Sequence, residues 1–239
     1  MRTAIVSDIH GNLTAFEAVL ADLRQTSPDL ILHGGDLADA GSSPVEILDR
    51  IRDLGWPGVV GNTDEMLAAP DTFEEFARQR PQLASVWAAT RAMAAAARKA
   101  LGEGRLAWLR QLPFVQSHGP IALVHASPES RWHAPAPEAP DAEVETVYGP
   151  LGKPIAVYGH IHRSFVRTTS SMVIANSGSV SLSYDGDPRA AYLLLDGSTP
   201  TIRRVAYDVD REIKALSASG LPHADWIAKI LVTGRPQMP

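Results

Sequence analysis

The 239-residue chain contains no cysteine, which excludes disulfides, thiolate zinc sites and cysteine nucleophiles. His, carboxylate and amide oxygen are left as the side chains able to hold a metal. It lacks any run of about 18 apolar residues. It also lacks a basic leader with a long apolar stretch behind it, since Thr3-Ala4-Ile5-Val6 already reads as a strand. A cytoplasmic protein with no membrane partner is the expectation. Positive charge is in deficit, with 22 Lys and Arg against 27 Asp and Glu and a formal net charge of -5. Those cations are scattered rather than striped, so no face offers itself to duplex nucleic acid. A polyanionic ligand would have to find its positive charge in bound cations.

What is present is an ordinary hydrophobic share of 45%, enough to bury a core, and a length that suits one large α/β domain. The first sixty residues alternate short apolar strands (Thr3 to Ser7, Asp29 to His33, Gly58 to Val60) with amphipathic helices, the pattern of β-α-β units around a buried sheet. The first helix carries Leu13, Phe16, Val19, Leu20 and Leu23 at helical spacing, with Thr14 and Glu17 as its capping box. The second opens with Ser43-Pro44-Val45-Glu46, a capping box with Pro at the first helical position, and Gly55 ends it. Residues 65–112 turn to Ala, Arg and Leu, with a further capping box at Thr72 to Glu75, and read as a helical insertion capping the sheet edge. Strands return at Phe114 to Gln116 and Ile121 to His125, joined by a hairpin at Gly119-Pro120. Residues 126–140 are too rich in proline for helix or strand and read as a long loop. Strands follow near Ile155 to Tyr158, Phe165 to Thr168, Met172 to Asn176, Ala190 to Leu195 and Thr201 to Val205, and residues 208–239 close the chain with two short helices. Trp87, Met93 and Trp108 read as core or interface, and His118 and His223 as structural.

Five separated segments end an apolar strand with metal-ligand residue types: Asp8-Ile9-His10, Gly34-Gly35-Asp36, Gly61-Asn62-Thr63-Asp64, His125, and Gly159-His160-Ile161-His162. Ligands of α/β sheets bind beyond the carboxyl ends of the strands, so the five can converge on one place. Any one alone is commonplace: a cap, a turn, a packed histidine. All five in order, each after its own strand, are not. A mixed nitrogen and oxygen set without sulfur suits Mn, Fe, Co, Ni or Zn and argues against Ca.

This ordered set resembles the calcineurin-like metallophosphoesterase superfamily over residues 1 to about 206. It is most similar to the small bacterial and archaeal phosphodiesterase branch, which Asn176-Ser177-Gly178-Ser179-Val180 and Asp185-Gly186-Asp187-Pro188-Arg189-Ala190 also echo. The resemblance implies a four-layer αββα sandwich, two mixed β-sheets flanked by helices, forming one domain over 1–239. It implies two divalent metal ions, manganese foremost with iron, nickel, cobalt and zinc as alternatives. By position, Asp8, His10 and His162 would hold the first, Asp36 would bridge, and Asn62, His125 and His160 would hold the second. These seven would carry the catalysis. Two such cations can bind a phosphate oxygen, lower the pKa of a bridging water and stabilise in-line displacement. The expected activity is hydrolysis of small nucleotide-type phosphodiesters by metal-bound hydroxide, with no covalent intermediate.

One residue departs from the superfamily pattern. Many members carry His where this chain has Thr63, placed to protonate the leaving group or steady the transition state, a role a hydroxyl cannot fill at neutral pH. The branch often lacks that His too, so diesters or activated esters are the expected substrates rather than alkyl monophosphates. Weaker candidates are His33, Asp39 and Asp64 as orienting partners of the ligands, each also readable as a packed or capping residue, and Arg131 and His133 as substrate contacts from the Pro-rich loop. A phosphomonoesterase or a Ser/Thr protein phosphatase is the alternative activity. A non-catalytic protein-binding scaffold is disfavoured because such a protein need not retain all seven ligand positions.

Overall fold

The computed structural model describes residues 1–239. Its first strands, β1 (Arg2–Val6) and β2 (Leu30–His33), run parallel, with α1 (Leu13–Thr26) between them. After α2 (Pro44–Leu54) come α3 (Asn62–Ala68), α4 (Pro70–Arg78) and α5 (Ala84–Leu109), so residues 65–112 are helical as the composition predicts. The hairpin of β3 (Val115–His118) and β4 (Ile121–Val124) follows, then α6 (Asp141–Tyr148), β5 (Ile155–Tyr158), β6 (Phe165–Thr168), β7 (Val173–Asn176), β8 (Ala190–Asp196), β9 (Thr199–Val205), α7 (Val209–Ser219) and α8 (Ala224–Thr233).

Two sheets form, ordered β2-β1-β8-β9 and β3-β4-β5-β7-β6. Both are mixed. In the first, β1 pairs parallel with β2 and antiparallel with β8. In the second, β4, β5 and β7 are parallel while β3 and β6 are antiparallel edges. The period-2 alternation of each strand sends one set of side chains inward, and Ile5, Leu32 and Leu193 of one sheet meet Leu123, Ile155 and Val157 of the other in a buried layer. The outward set packs on helices: Val6 and Tyr192 against Phe16, Val19 and Ile47 on the first sheet, and Ala156, Tyr158 and Ile174 against Val144 and Tyr148 of α6 on the second. This is the αββα sandwich.

Several local expectations fail for identifiable reasons. The capping box at Thr14 and Glu17 does not form, because Asn12 takes the cap with its Oδ1 accepting from Ala15 N at 2.8 Å. The second helix starts at Pro44 as expected, but the Ser43 side chain makes no cap bond. Thr72 lies inside α4, which opens two residues earlier at Pro70, and its hydroxyl donates back to Ala69 O. Gly58 to Val60 is not a strand. Pro57 has no N–H to offer, and only a single bridge joins His33 to Gly58. Helix α6 was not anticipated, although Pro140 followed by Asp141 and Glu143 is a regular helix opening. No helix is long and apolar enough to cross a membrane.

Candidate metal centre

The parallel strands of both sheets point their carboxyl ends to one edge, and the predicted residues leave from them: Asp8 and His10 after β1, Asp36 after β2, His125 after β4, His160 and His162 after β5. Asn62 is the first residue of α3. Eight non-glycine residues have positive φ, and five of them belong to this set: Asp8 (56°), His10 (48°), Asp36 (54°), His160 (65°) and His162 (55°). Such backbone costs on the order of 1 kcal/mol or more for each residue with a Cβ and persists only where its surroundings impose it. Here Asp8 N donates to Gly35 O and His10 N to Asp36 O, both at 3.0 Å. Two glycines serve by being small: a Cβ on Gly61 would lie 2.1 Å from Asp36 Oδ1, and one on Gly159 2.3 Å from Asp8 Oδ2.

The ligand-type atoms fall into two groups that share one oxygen. Asp36 Oδ2 lies 3.7 Å from His10 Nε2, which in turn lies 3.2 Å from His162 Nε2, itself 3.1 Å from Asp8 Oδ1. On the other side Asp36 Oδ2 lies 3.5 Å from His125 Nε2, and Asn62 Oδ1 sits 2.8 Å from both His125 Nε2 and His160 Nδ1. Asp8, His10, Asp36 and His162 alone each offer one ligand atom within 4.8 Å of all the others.

Hydrogen bonding shows that the arrangement wants a cation. The Nδ1 atoms of His10, His162 and His125 face the backbone carbonyls of Asp39 (3.2 Å), Leu182 (2.5 Å) and Gly34 (2.8 Å). A carbonyl only accepts, so each Nδ1 donates and a neutral ring keeps its lone pair on Nε2. Those lone pairs point at one another and at carboxylate and amide oxygens. Acceptors facing acceptors at 3 Å repel unless positive charge lies among them, and imidazoles held through Nδ1 are how proteins orient metal ligands.

The electrostatics agree. Burial disfavours charge on Asp36, yet the His125 and His10 rings hold its carboxyl well below the ordinary range. Asp8 is lowered likewise, with burial opposed by His162. Burial drives His10 to about 4 and His160 to about 3, so both are neutral near pH 7. His125 goes the other way: burial opposes its charge, but Asp36 raises it to about 9. In the ion-free protein a proton on His125 does part of the work of a cation.

The weaker candidates have mixed fates. Asp64 does not touch a ligand histidine. Its carboxylate accepts from the backbone N–H of Asp36 (2.8 Å), Leu37 (2.9 Å) and Gly61 (2.9 Å), lacing the loop of Asp36 to the turn of Asn62. Asp39 orients His10 through its carbonyl while its buried Oδ1 has no partner, and burial with nearby Asp36 raises its carboxyl to about 7. His33 is fully buried with both ring nitrogens unpartnered, so it orients nothing. Thr63 N donates to Asp36 Oδ1 at 2.8 Å; the residue lines the cleft over the centre, with its hydroxyl buried and unpartnered. Arg131 and His133 are elsewhere. Arg131 pairs with Glu65 and covers the Phe114 ring, His133 bonds Arg80 and Ser130, and both line a separate hollow against α4.

The cleft over the centre measures about 190 Å³. Its walls include Met93 of α5, read from the sequence as core or interface, and residues the sequence did not single out: Tyr184, whose ring stacks on His162 at 4.6 Å, and Trp226, Ile227 and Ile230 of α8. Tyr184 had a signal, since it lies just past the Asn176 to Val180 motif. The α8 residues had none beyond apolar spacing.

The sequence pattern of the calcineurin-like phosphoesterase superfamily domain matches residues 1–199. Over 255 aligned residues the chain is 27% identical to an uncharacterized protein of Methanocaldococcus jannaschii, spanning 97% of this chain and 98% of that one. It is 28% identical over 169 residues to a symmetrical bis(5'-nucleosyl)-tetraphosphatase of Pectobacterium carotovorum, spanning 66% of this chain and 56% of the relative. A metallophosphoesterase structure from Sphaerobacter thermophilus superposes with a TM-score of 0.79 at 25% identity, covering 98% of this chain and all of that one. A hypothetical protein from Pyrococcus horikoshii shares the fold at a TM-score of 0.84 and 18% identity, over 99% of each chain. The chain belongs to the calcineurin-like phosphoesterase superfamily, and with it to the phosphoester hydrolases that work with divalent metals.

Proposed function

We propose that the protein is a dinuclear metal-dependent phosphodiesterase acting on small nucleotide-type phosphodiesters. The observation that carries the reading is Asp36 Oδ2, one oxygen facing His10 Nε2 on one side and His125 Nε2 on the other. Asp8, His10 and His162 would hold one ion with Asp36, and Asn62, His125 and His160 the other. Manganese is our choice for this mixed set. When bound, a pair of ions supplies charge for the phosphoryl oxygens and activates a water for in-line attack. The chain's own residues do the rest. The carbonyls of Gly34, Asp39 and Leu182 hold the imidazole lone pairs inward, and Asp64 fixes the loop bearing Asp36. Esters with activated leaving groups fit best because the residue between Asn62 and Asp64 is Thr63, whose hydroxyl is too weak an acid to protonate an alkoxide. The relative named as a bis(5'-nucleosyl)-tetraphosphatase supports a nucleotide substrate. Complete retention of the seven positions speaks against a scaffold.

The test uses chelator-stripped protein resupplied with single divalent ions, assayed on bis(p-nitrophenyl) phosphate with bound metal counted by elemental analysis. Hydrolysis with two ions per chain is expected. A protein inert with every ion sinks the reading, and activity at one ion per chain sinks its dinuclear part.

A further inference from the structure

Helices α7 and α8 lie beyond residue 199, where the family match ends, yet α8 supplies a wall of the cleft over the metal centre. Its position is fixed by packing: Ile227 and Ile230 are buried in one apolar cluster with Met93 of α5 and Leu182, whose carbonyl orients His162. Trp226 sits on the same cluster only partly buried, and its indole N–H donates to Gln237 O at 2.9 Å, which sets the ring's orientation. Tyr184, already stacked on His162, lines the same space.

Charge and size then limit what this wall can take. None of the fifteen residues lining the cleft is Lys or Arg, so a polyphosphate tail would find no cation there beyond those of the metal centre. A volume of about 190 Å³ is below the roughly 300 Å³ at which enclosed ligand sites usually begin. The cleft is open to solvent, so a reacting phosphate and the group next to it can sit inside while the rest of a substrate extends outward. Aromatic side chains at Trp226 and Tyr184 in the cleft wall favour a flat uncharged ring.

We propose that Trp226, carried on α8, is the specificity residue of this site and stacks on one flat uncharged ring, a nucleobase or aryl group, esterified to the reacting phosphate. The inference rests on the phosphodiesterase reading and deepens it by naming the group that the cleft recognises beside the phosphate. Base-on-aromatic stacking is commonly lost on alanine substitution at a cost of tenfold or more in affinity.

Calorimetry on the full manganese-loaded chain tests it without needing turnover, with adenosine 5'-monophosphate and inorganic phosphate as probes. The wild type should bind the nucleotide about tenfold more tightly than phosphate. Trp226→Ala should erase that advantage and leave phosphate binding within about twofold. Trp226→Phe should keep most of it, and Trp226→Leu, which retains bulk without the aromatic face, should not. On bis(p-nitrophenyl) phosphate, Trp226→Ala should raise KM about tenfold with kcat within twofold. Equal nucleotide affinity in wild type and the Ala and Leu variants overturns the inference while leaving a diester-cleaving wild type, and so the parent reading, intact. So does a fall in phosphate affinity that matches the fall for the nucleotide. An inert wild type that still loses its nucleotide preference on Trp226→Leu sinks the parent reading and keeps the wall.

Discussion

Replacing Asp64 by Asn tests whether this carboxylate builds the site from behind. In the native protein Oδ2 accepts from Asp36 N and Gly61 N, and Oδ1 from Leu37 N, all buried. Asparagine can keep its oxygen toward the first two but then turns an NH₂ toward Leu37 N, donor against donor. One charge-assisted bond, worth about 1.5–3 kcal/mol, is lost and its N–H left unsatisfied, while the other two fall to neutral strength, about 1 kcal/mol less each. Relief of the like charge on Asp36 offsets part of this, leaving a net loss of about 3 kcal/mol. Against a usual native stability of about 5–15 kcal/mol the variant still folds, and for a chain of this size the melting point should fall by about 6–12 °C. The second readout is linkage. Manganese at a hundredfold excess over its dissociation constant should add about 2.7 kcal/mol to the wild type and clearly less to the variant, whose Asp36 loop is no longer tied down. Thermal melts in chelator and in manganese supply both numbers. A variant that melts within about 1 °C of wild type and takes up metal equally would refute the argument.

Asp36→Asn removes the oxygen common to both atom groups and should leave at most one ion per chain with diester hydrolysis down by more than about 100-fold, checked by elemental analysis and kinetics. Asp39→Asn should become relatively more stable as pH rises. Burial lifts the native carboxyl to about 7, so between about pH 4 and 7 the folded state holds a proton that the unfolded chain has released. Stability from this group therefore falls across that window, toward a ceiling of about 4 kcal/mol. Urea unfolding of both proteins in chelator at pH 4 and pH 8 should show no difference at the lower pH and an advantage for Asn at the higher, whereas a constant difference would contradict the sign. The wild type should prefer aryl diesters to alkyl monophosphates, and Thr63→His should raise alkyl monoester turnover by on the order of tenfold or more. Matched steady-state assays decide this, and a wild type favouring the monoester would overturn the role given to Thr63.

What could be read in the sequence was what chemistry constrains. Asp8, His10, Asp36, Asn62, His125, His160 and His162 stood out because acids, amides and histidines placed just after apolar strands have few structural reasons to recur in that order. All seven come together in the folded chain. Alternation gave the β-α-β units of the first sheet, while the pairing of two mixed sheets into a sandwich came from the family resemblance. Asp64 was legible as important but not for its task, because its partners at Asp36 and Leu37 are peptide N–H groups, which no sequence distinguishes. Trp226 and Met93 were invisible as site residues because a side chain facing a cleft and one facing a core share the same helical spacing. The Pro-rich loop misled for the converse reason: adjacency to His125 in sequence says nothing of direction, and Arg131 leaves toward Glu65 and Phe114. Local capping was a contest of near neighbours that Asn12 won over Thr14.

The five left-handed residues proposed as ligands set backbone strain against the contacts their side chains make. A glycine at Asp8 or His162 would relax its turn while discarding the group proposed to hold an ion, along with the buried bond from His160 N to Asp8 or from His162 to Leu182 O, so any firmness gained is set against those losses. The side chains proposed to bind metal therefore also hold together the turns whose backbone they strain.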